Sequence, residues 1–522
     1  MTIGTGTVSA KGPERHWVKV LDQSSCIGCH ACTTACKSEN AVPLGVTRTY
    51  VKSADEGTFP QTRRAFQVTR CNQCADAPCV NACPTSAMFK RPDGIVDFDK
   101  SICIGCKACI AACPYDAIFI NPEDHSAEKC NFCAHRIDNG LEPACVVVCP
   151  VEAILVGDLN DPNSRVSQII NREPVNVRRP EKETLPNVFY KGAHQATLDP
   201  LAARQPDGGL FMWSQQAGPV ISGAPASYEG VAKNGARAAS NSSAAALLSY
   251  DVGHNLPWGW RVSLYTWTKG LAAGIYLLAA ALVLAGKVPD SSALWQWVAP
   301  IGSGAFLVLT GILLIWDLKH PLRFYMLFTR PQWKSWLVRG AFIIAGYSAL
   351  LAVHFATTLL GLSWLQRVLM VAGIPLAALT AIYTGFLFAQ AKARDLWQNP
   401  LLPPHLVVQA LILASAALLP LAAWLEPGVV RDLAWVLAAT ALTHLLLVLG
   451  ETTLPHVTAH ARLATHNMVA GPYARFFWAG VVLIAAGVLA PLLGVTVVPL
   501  ALLGLLSHEH AYVQAGQSVP LA

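Results

Sequence analysis

Charge is scarce in this chain: 13% of its 522 residues are charged, against 53% hydrophobic. That balance is too apolar for an ordinary soluble protein of this length. Cysteine is absent beyond Cys149, the last of sixteen, and long apolar runs are absent before about Trp258. The two deficits are complementary and predict a polar metal domain followed by a polytopic membrane domain. Met1–Leu21 holds no apolar core of signal-peptide length, and Arg63-Arg64 and Arg178-Arg179 lie too far in for a twin-arginine leader. Secretion, with the disulfides it permits, is therefore not expected. The net charge of +6 is modest, is ascribed to membrane topology, and gives no reason to expect nucleic-acid binding.

The sixteen cysteines fall into four groups of four: Cys26, Cys29, Cys32 and Cys36; Cys71, Cys74, Cys79 and Cys83; Cys103, Cys106, Cys109 and Cys113; Cys130, Cys133, Cys145 and Cys149. Three cysteines spaced by about three residues on one loop can each reach a different iron of a cuboidal cluster. The fourth, three residues on and usually before proline, points away and ligates the other cluster of a pair. Proline follows Cys83, Cys113 and Cys149. Two such runs make a two-cluster ferredoxin module, so four runs predict two modules and four [4Fe–4S] clusters. Zinc sites pair two Cys-x2-Cys units across a longer loop and carry no such tail. Gly28 and Gly105 are expected to let backbone N–H groups approach the cluster. Lys107, Lys129 and Arg136 are read first as solvated surface, with tuning of potential or partner docking as the alternative.

The stretches CIGCHACTTACKSEN, RCNQCADAPCVNACPTSAM, CIGCKACIAACPYDAI and KCNFCAHRIDNGLEPACVVVCPVEAI resemble the four-cluster ferredoxin-like subunits of DMSO-reductase-type molybdopterin oxidoreductases. The resemblance covers residues 20–190 and implies a nested arrangement, in which the inner two runs pair and the first pairs with the fourth. The implied ligand sets are Cys26/Cys29/Cys32/Cys149, Cys130/Cys133/Cys145/Cys36, Cys71/Cys74/Cys79/Cys113 and Cys103/Cys106/Cys109/Cys83. It also implies that the inner module lies nearer the membrane and the outer one nearer a catalytic partner. That partner would be a molybdopterin or tungstopterin subunit, for which this chain has no room.

Residues 194–254, rich in Ala, Gly and Ser, read as a linker between a 1–193 iron–sulfur domain and a 255–522 membrane domain. A spanning helix needs ~20 apolar residues. The candidates are 263–286, 294–316, 336–360, 365–390, 406–425, 431–450, 474–493 and 495–513, about eight, with the last the weakest because it ends at His508-Glu509-His510. The fold class expected is thus an α+β double bacterial-ferredoxin-like domain followed by an all-α polytopic membrane domain. On the side of the iron–sulfur domain lie Arg261, Lys269, Lys319, Arg323, Arg330, Lys334, Arg339, Lys392, Arg394, Arg462 and Arg475. The other side has Lys287, Arg367 and Arg431. Positive-inside bias then places the iron–sulfur domain on the cytoplasmic face of the inner membrane.

WGWRVSLYTWTKGLAAG, DLKHPLRFYMLFTRPQWKSW, IYTGFLFAQAKARDLWQNPLLP and VQAGQSVP resemble NrfD/PsrC-type membrane anchors over residues ~255–518. The resemblance implies no haem and a site for menaquinone or ubiquinone on the iron–sulfur side. Quinone carbonyls need donors at the membrane edge and an apolar slot for the ring. His254, Asn255, Trp260, Lys269, Asp317, His320 and Arg323 are the candidates. Against these stand an interfacial aromatic belt for Trp258 and Trp260 and a structural Asp317–Arg323 pair. Within the spans, His444 with Glu451 and Tyr347 with His354 share helix faces, as proton relays or as packing residues. The function expected is electron transfer between a separate catalytic subunit and the membrane quinone pool. The alternatives are a redox-driven proton-translocating module and a metal-sensing domain fused to a transporter.

Overall fold

The computed structural model describes residues 15–57, 60–204, 246–253 and 256–522. The iron–sulfur domain is organised by a sheet that ties its beginning to its end. Strand Trp17–Asp22 pairs antiparallel with Ile154–Asp158 and parallel with Val188–Lys191, which carries Val175–Asn176 on its far edge. Val18, Val20, Leu21 and Val188 are buried there. Because Trp17 lies opposite Asp158 and Leu21 opposite Ile154, the first cysteine run is held beside the fourth. The second and third runs are each followed by a small hairpin, Met88–Lys90 with Val96–Phe98 and Ile118–Ile120 with Ala127–Lys129. The nested order is thus set by strand pairing distant in sequence.

A second sheet has the order Ala203–Arg204, Ala246–Tyr250, Thr49–Glu56, Arg63–Arg70. Both described ends of the Ala/Gly/Ser-rich stretch therefore fold onto the iron–sulfur domain: Gln195–Leu198 is helical and Ala246–Tyr250 is a strand. The rest of the expected linker, residues 205–245 and 254, lies outside the described residues.

Among the described residues seven helices are long and apolar enough to cross a membrane: Trp260–Leu284, Leu294–Asp317, Trp336–Leu359, Ser363–Ala389, Leu402–Leu425, Pro427–Thr453 and Ala490–Gln517. A pair bent by 69°, Ala459–Val469 and Ala474–Gly487, makes an eighth if it is one broken span. The contacts at the helix ends sort into two sides. Trp258, Asp317, Ser335, Gln390 and Gln517 all meet or neighbour the iron–sulfur side, through Trp258 to Cys106, Asp317 to Lys107, Ser335 to Ala82, Gln390 to Asn81 and Gln517 to Trp258. The opposite turns meet one another, through Ser292 to Glu426, Lys287 to Asp432, and Arg367 to Asp290.

The weak span is the seventh and not the eighth. Ala474–Gly487 has 14 residues, ~21 Å at 1.5 Å per residue, short of a ~30 Å core. The last helix instead continues to Gln517, because His508, Glu509, Gln514 and Gln517 are buried against neighbouring helices. Polar residues taken as the end of a span are its interior. Close backbone approach supports the bundle at Gly274, where an added Cβ would stand 2.1 Å from the Ala410 carbonyl oxygen.

Candidate redox site

The third residue of the first Cys-x-x-Cys unit in every run has a left-handed backbone: Gly28 (φ 69°), Gln73 (φ 49°), Gly105 (φ 67°) and Phe132 (φ 67°). The loop geometry is thus common to all four runs, and glycine is used at only two of them. At Gly105 the reason is crowding as well as φ, since an added Cβ would lie 2.4 Å from Lys319 Cβ. A second repeat follows each Cys-Pro pair, where Ser86, Asp116 and Glu152 are left-handed. This turn swings a backbone N–H onto the ligand sulfur, Met88 onto Cys83 and Ala153 onto Cys149, both at 3.3 Å.

The four runs exchange their last cysteines. Cys26 is influenced by Cys149 and Cys29, and Cys32 by Cys26 and Cys149 as well as Cys145. Cys36 stands with Cys130, Cys145 and Cys133. Cys74 and Cys79 stand with Cys71 and Cys113. Cys83, Cys103, Cys106 and Cys109 line one pocket. Neighbouring quartets also touch electrostatically, Cys32 with Cys145, Cys71 with Cys130 and Cys109 with Cys79. The quartets therefore form one line. Its outer end is open, with Cys29 exposed and Cys26 and Cys149 half-buried, and Ile27 and Val147 apolar and exposed nearby.

These groups fit iron–sulfur clusters. All sixteen thiols are free, yet among the described residues no three His, Cys, Asp or Glu side chains are spaced to hold a single metal ion. Burial and the neighbouring sulfurs push the Cys36 and Cys113 thiols up to about 12, and burial with Cys71 does the same at Cys74. A cluster would relieve that crowding by binding the thiolates to cations. Buried Arg70 Nε and Nη2 have no hydrogen-bond partner, while Nη1 donates to Cys145 Sγ at 3.2 Å. Unpaired donors beside a sulfur quartet suit the sulfides of a cluster.

Lys107 and Lys129 are not solvated surface. Lys107 is buried and paired with Asp317. Lys129 is fully buried and donates to the carbonyls of Val96 and Cys130. Arg136 bonds Glu39 at the surface.

Of the seven quinone candidates, His254 and Asn255 lie outside the described residues. Trp260 is half exposed on the bundle's outside and meets Trp316 edge to face at 5.8 Å, as an interfacial residue does. Lys269 is buried in the bundle, its ammonium donating to the Ala381 carbonyl (2.8 Å) and to Thr384 (2.6 Å). Asp317, His320 and Arg323 are gathered under the third cysteine run. Arg323 donates to the carbonyls of Lys100 and Cys103, and His320 N–H donates to that of Ile104. The partner of Asp317 is Lys107, where the sequence suggested Arg323.

Trp258 is only 5% exposed, which removes it from an aromatic belt. Its indole N–H donates to the Cys106 carbonyl at 3.2 Å, and its ring stacks with Trp397 (5.5 Å) and Phe388 (5.9 Å). Deeper in the bundle, Glu509 accepts from Thr266, and His405 bonds His444 at 2.8 Å with His508 alongside. Sequence reasoning missed Trp397, Phe388, His405, His508 and Glu509, because only helix packing brings them together.

A line of thiol quartets ending on a helical membrane domain defines a membrane-anchored iron–sulfur protein. The family described as "4Fe-4S dicluster domain" matches residues 62–159, and that described as "Polysulphide reductase, NrfD" matches residues 250–504. The chain is 44% identical to the NrfC homologue of Haemophilus influenzae over 35% of its own length and 81% of that protein. It is 43% identical to the NrfC protein of Escherichia coli over 30% of its length and 71% of that protein. With the arsenate respiratory reductase iron–sulfur subunit ArrB of Shewanella it shares 37% identity over 33% of its length and 94% of that subunit. The chain belongs to this iron–sulfur subunit family and carries an NrfD-type membrane domain in the same polypeptide.

Proposed function

We propose that this electron-transfer and anchor protein connects a molybdopterin or tungstopterin catalytic subunit to membrane quinone through four [4Fe–4S] clusters. The observation that carries the reading is the unbroken line from exposed Cys29 to Cys106, whose carbonyl is held by the buried membrane-domain residue Trp258. Each cluster, when bound, supplies one-electron capacity with little change of shape. The ligand sets are the four quartets described above, one borrowed cysteine in each. The open end, with Ile27, Val147 and exposed Cys29, receives the catalytic subunit. At the other end, Asp317, His320 and Arg323 hold the third run against the bundle, while His254, Asn255, Trp260 and Lys269 belong to the first helix and its approach, where quinone binds. Residues 1–193, with the described linker ends packed on them, and 255–522 are the two functional domains.

The iron–sulfur domain faces the cytoplasm. The charge asymmetry supports this, although Arg323, Lys392 and Arg394 on that side also serve docking and the C-terminal tail. Anaerobic purification tests the whole reading. Close to sixteen irons and sixteen acid-labile sulfides per chain, with a co-purifying pterin protein, are expected; zinc in place of iron, or no redox partner, would refute it.

A second reading, proton translocation coupled to electron flow, is favoured by one observation. Polar side chains lie in separate segments along the bundle: Lys269 bonds Thr384, Thr268 bonds Thr310, and Tyr347, Tyr276 and His354 cluster next to Thr358 and Gln366. The Tyr276 hydroxyl and both His354 ring nitrogens are buried without hydrogen-bond partners, sites that ordered water can join. Acidification or alkalinisation of the lumen of proteoliposomes during quinone turnover, lost in His354→Ala, is expected on this reading. An unchanged lumen in the wild type would remove it.

A further inference from the structure

The four quartets differ in the charge built around them. Lys107, beside the innermost, is neutralised by Asp317 at 2.9 Å. Lys129, beside the quartet of Cys71, bonds that sulfur but divides its hydrogen bonds with the carbonyls of Val96 and Cys130. Arg48, near the quartet of Cys36, is cancelled by Glu128 but still serves it: its guanidinium donates to Asn40 Oδ1 at 2.8 Å. That bond turns the Asn40 amide N–H2 toward Cys36 Sγ and Cys133 Sγ, both 3.7 Å away.

Arg70 and Lys19 are different. Each is 1% exposed. Arg70 Nη1 donates to Cys145 Sγ at 3.2 Å, and Lys19 Nζ reaches the same sulfur at 4.0 Å while lying over the Phe132 ring. Two fixed cations therefore converge on one ligand of one quartet, and both donate to its sulfur.

We propose that Arg70 and Lys19 are positioning residues that make the quartet Cys36, Cys130, Cys133 and Cys145 the most easily reduced station on the electron path. This rests on the four-cluster reading above. Reduction there adds one electron, delivered from a neighbouring cluster. No bond forms or breaks, and the two cations offset the added negative charge in a buried setting where solvent does so poorly. The station one step in from the open end then holds the electron between the two-electron chemistry of a catalytic partner and the one-electron steps toward the membrane.

The test is potentiometric titration of the full chain, followed by electron paramagnetic resonance, with iron counted in each sample. Arg70→Gln and Lys19→Gln are each expected to lower the reduction constant of one cluster, the highest in potential, at least tenfold, which is 59 mV for a one-electron couple. The other three clusters stay in place, and Arg70→Lys retains most of the potential. With sixteen irons present, unchanged potentials, or an equal shift of all four, would overturn the inference while leaving the four-cluster reading intact. Loss of four irons from both Gln variants and from Arg70→Lys would also overturn it, since the residues would then serve assembly and not potential. Fewer than sixteen irons in the wild type would instead fail the underlying reading.

Discussion

Asp317 closes the second membrane helix and holds Lys107 of the third cysteine run in a two-oxygen contact, 3.0 and 2.9 Å, with side-chain exposures of 14% and 10%. At ~3 Å and an effective dielectric of ~20 the gross attraction is about 5 kcal/mol. Desolvation takes back part of it, and removing one partner of a buried pair costs about 3–5 kcal/mol. The residual exposure here argues for the lower end, about 3 kcal/mol, or roughly a hundredfold in an opening equilibrium. Two neighbouring bonds report that opening: Lys319 N–H to the Gly105 carbonyl and His320 N–H to that of Ile104. Asp317→Asn should therefore speed amide exchange at residues 319 and 320 by up to two orders of magnitude in the full-length protein. Lys107→Met should do the same, and the double variant Lys107→Met/Asp317→Leu should cost less than the two singles together by about 2 kcal/mol, since contacting residues are coupled. Additive effects, or unchanged exchange with lost quinone turnover, would refute the docking role and return Asp317 to the quinone site.

Three further outcomes are expected. Cys36→Ser should disturb the cluster of Cys130, Cys133 and Cys145 and spare that of Cys26, Cys29 and Cys32; disturbance of the latter in the magnetic spectrum would break the nested assignment. Gly105→Ala should be destabilising by at least ~1 kcal/mol, because it combines a left-handed backbone with a Cβ 2.4 Å from Lys319. Gln73→Ala, at the same loop position but already with a side chain, should be far milder in a thermal scan read by cluster absorbance. Chelation of iron should strip order from the N-terminal domain, where the quartets bridge distant segments, and leave the helical far-ultraviolet signal of the membrane domain largely intact; loss of that signal would mean the bundle depends on the clusters.

Sequence by itself determined what is local and chemical. Ligand identity, the three-residue spacing and the proline tails are covalent facts about single loops, so the cluster type was legible, as was a membrane half from apolar runs of span length. Even the nested pairing came only through family likeness, since spacing leaves it open; strand Trp17–Asp22 lying between Ile154–Asp158 and Val188–Lys191 supplies its physical cause. Tertiary structure alone decided where charges go. Lys107, Lys129, Arg70 and Lys19 look like ordinary surface cations in sequence, yet each is buried against sulfur, carbonyl or carboxylate partners. The same holds for His508 and Glu509, which look like the end of a span and lie inside one. A charge is tolerated in such places only because partners from distant segments surround it, and that proximity is written in no local pattern.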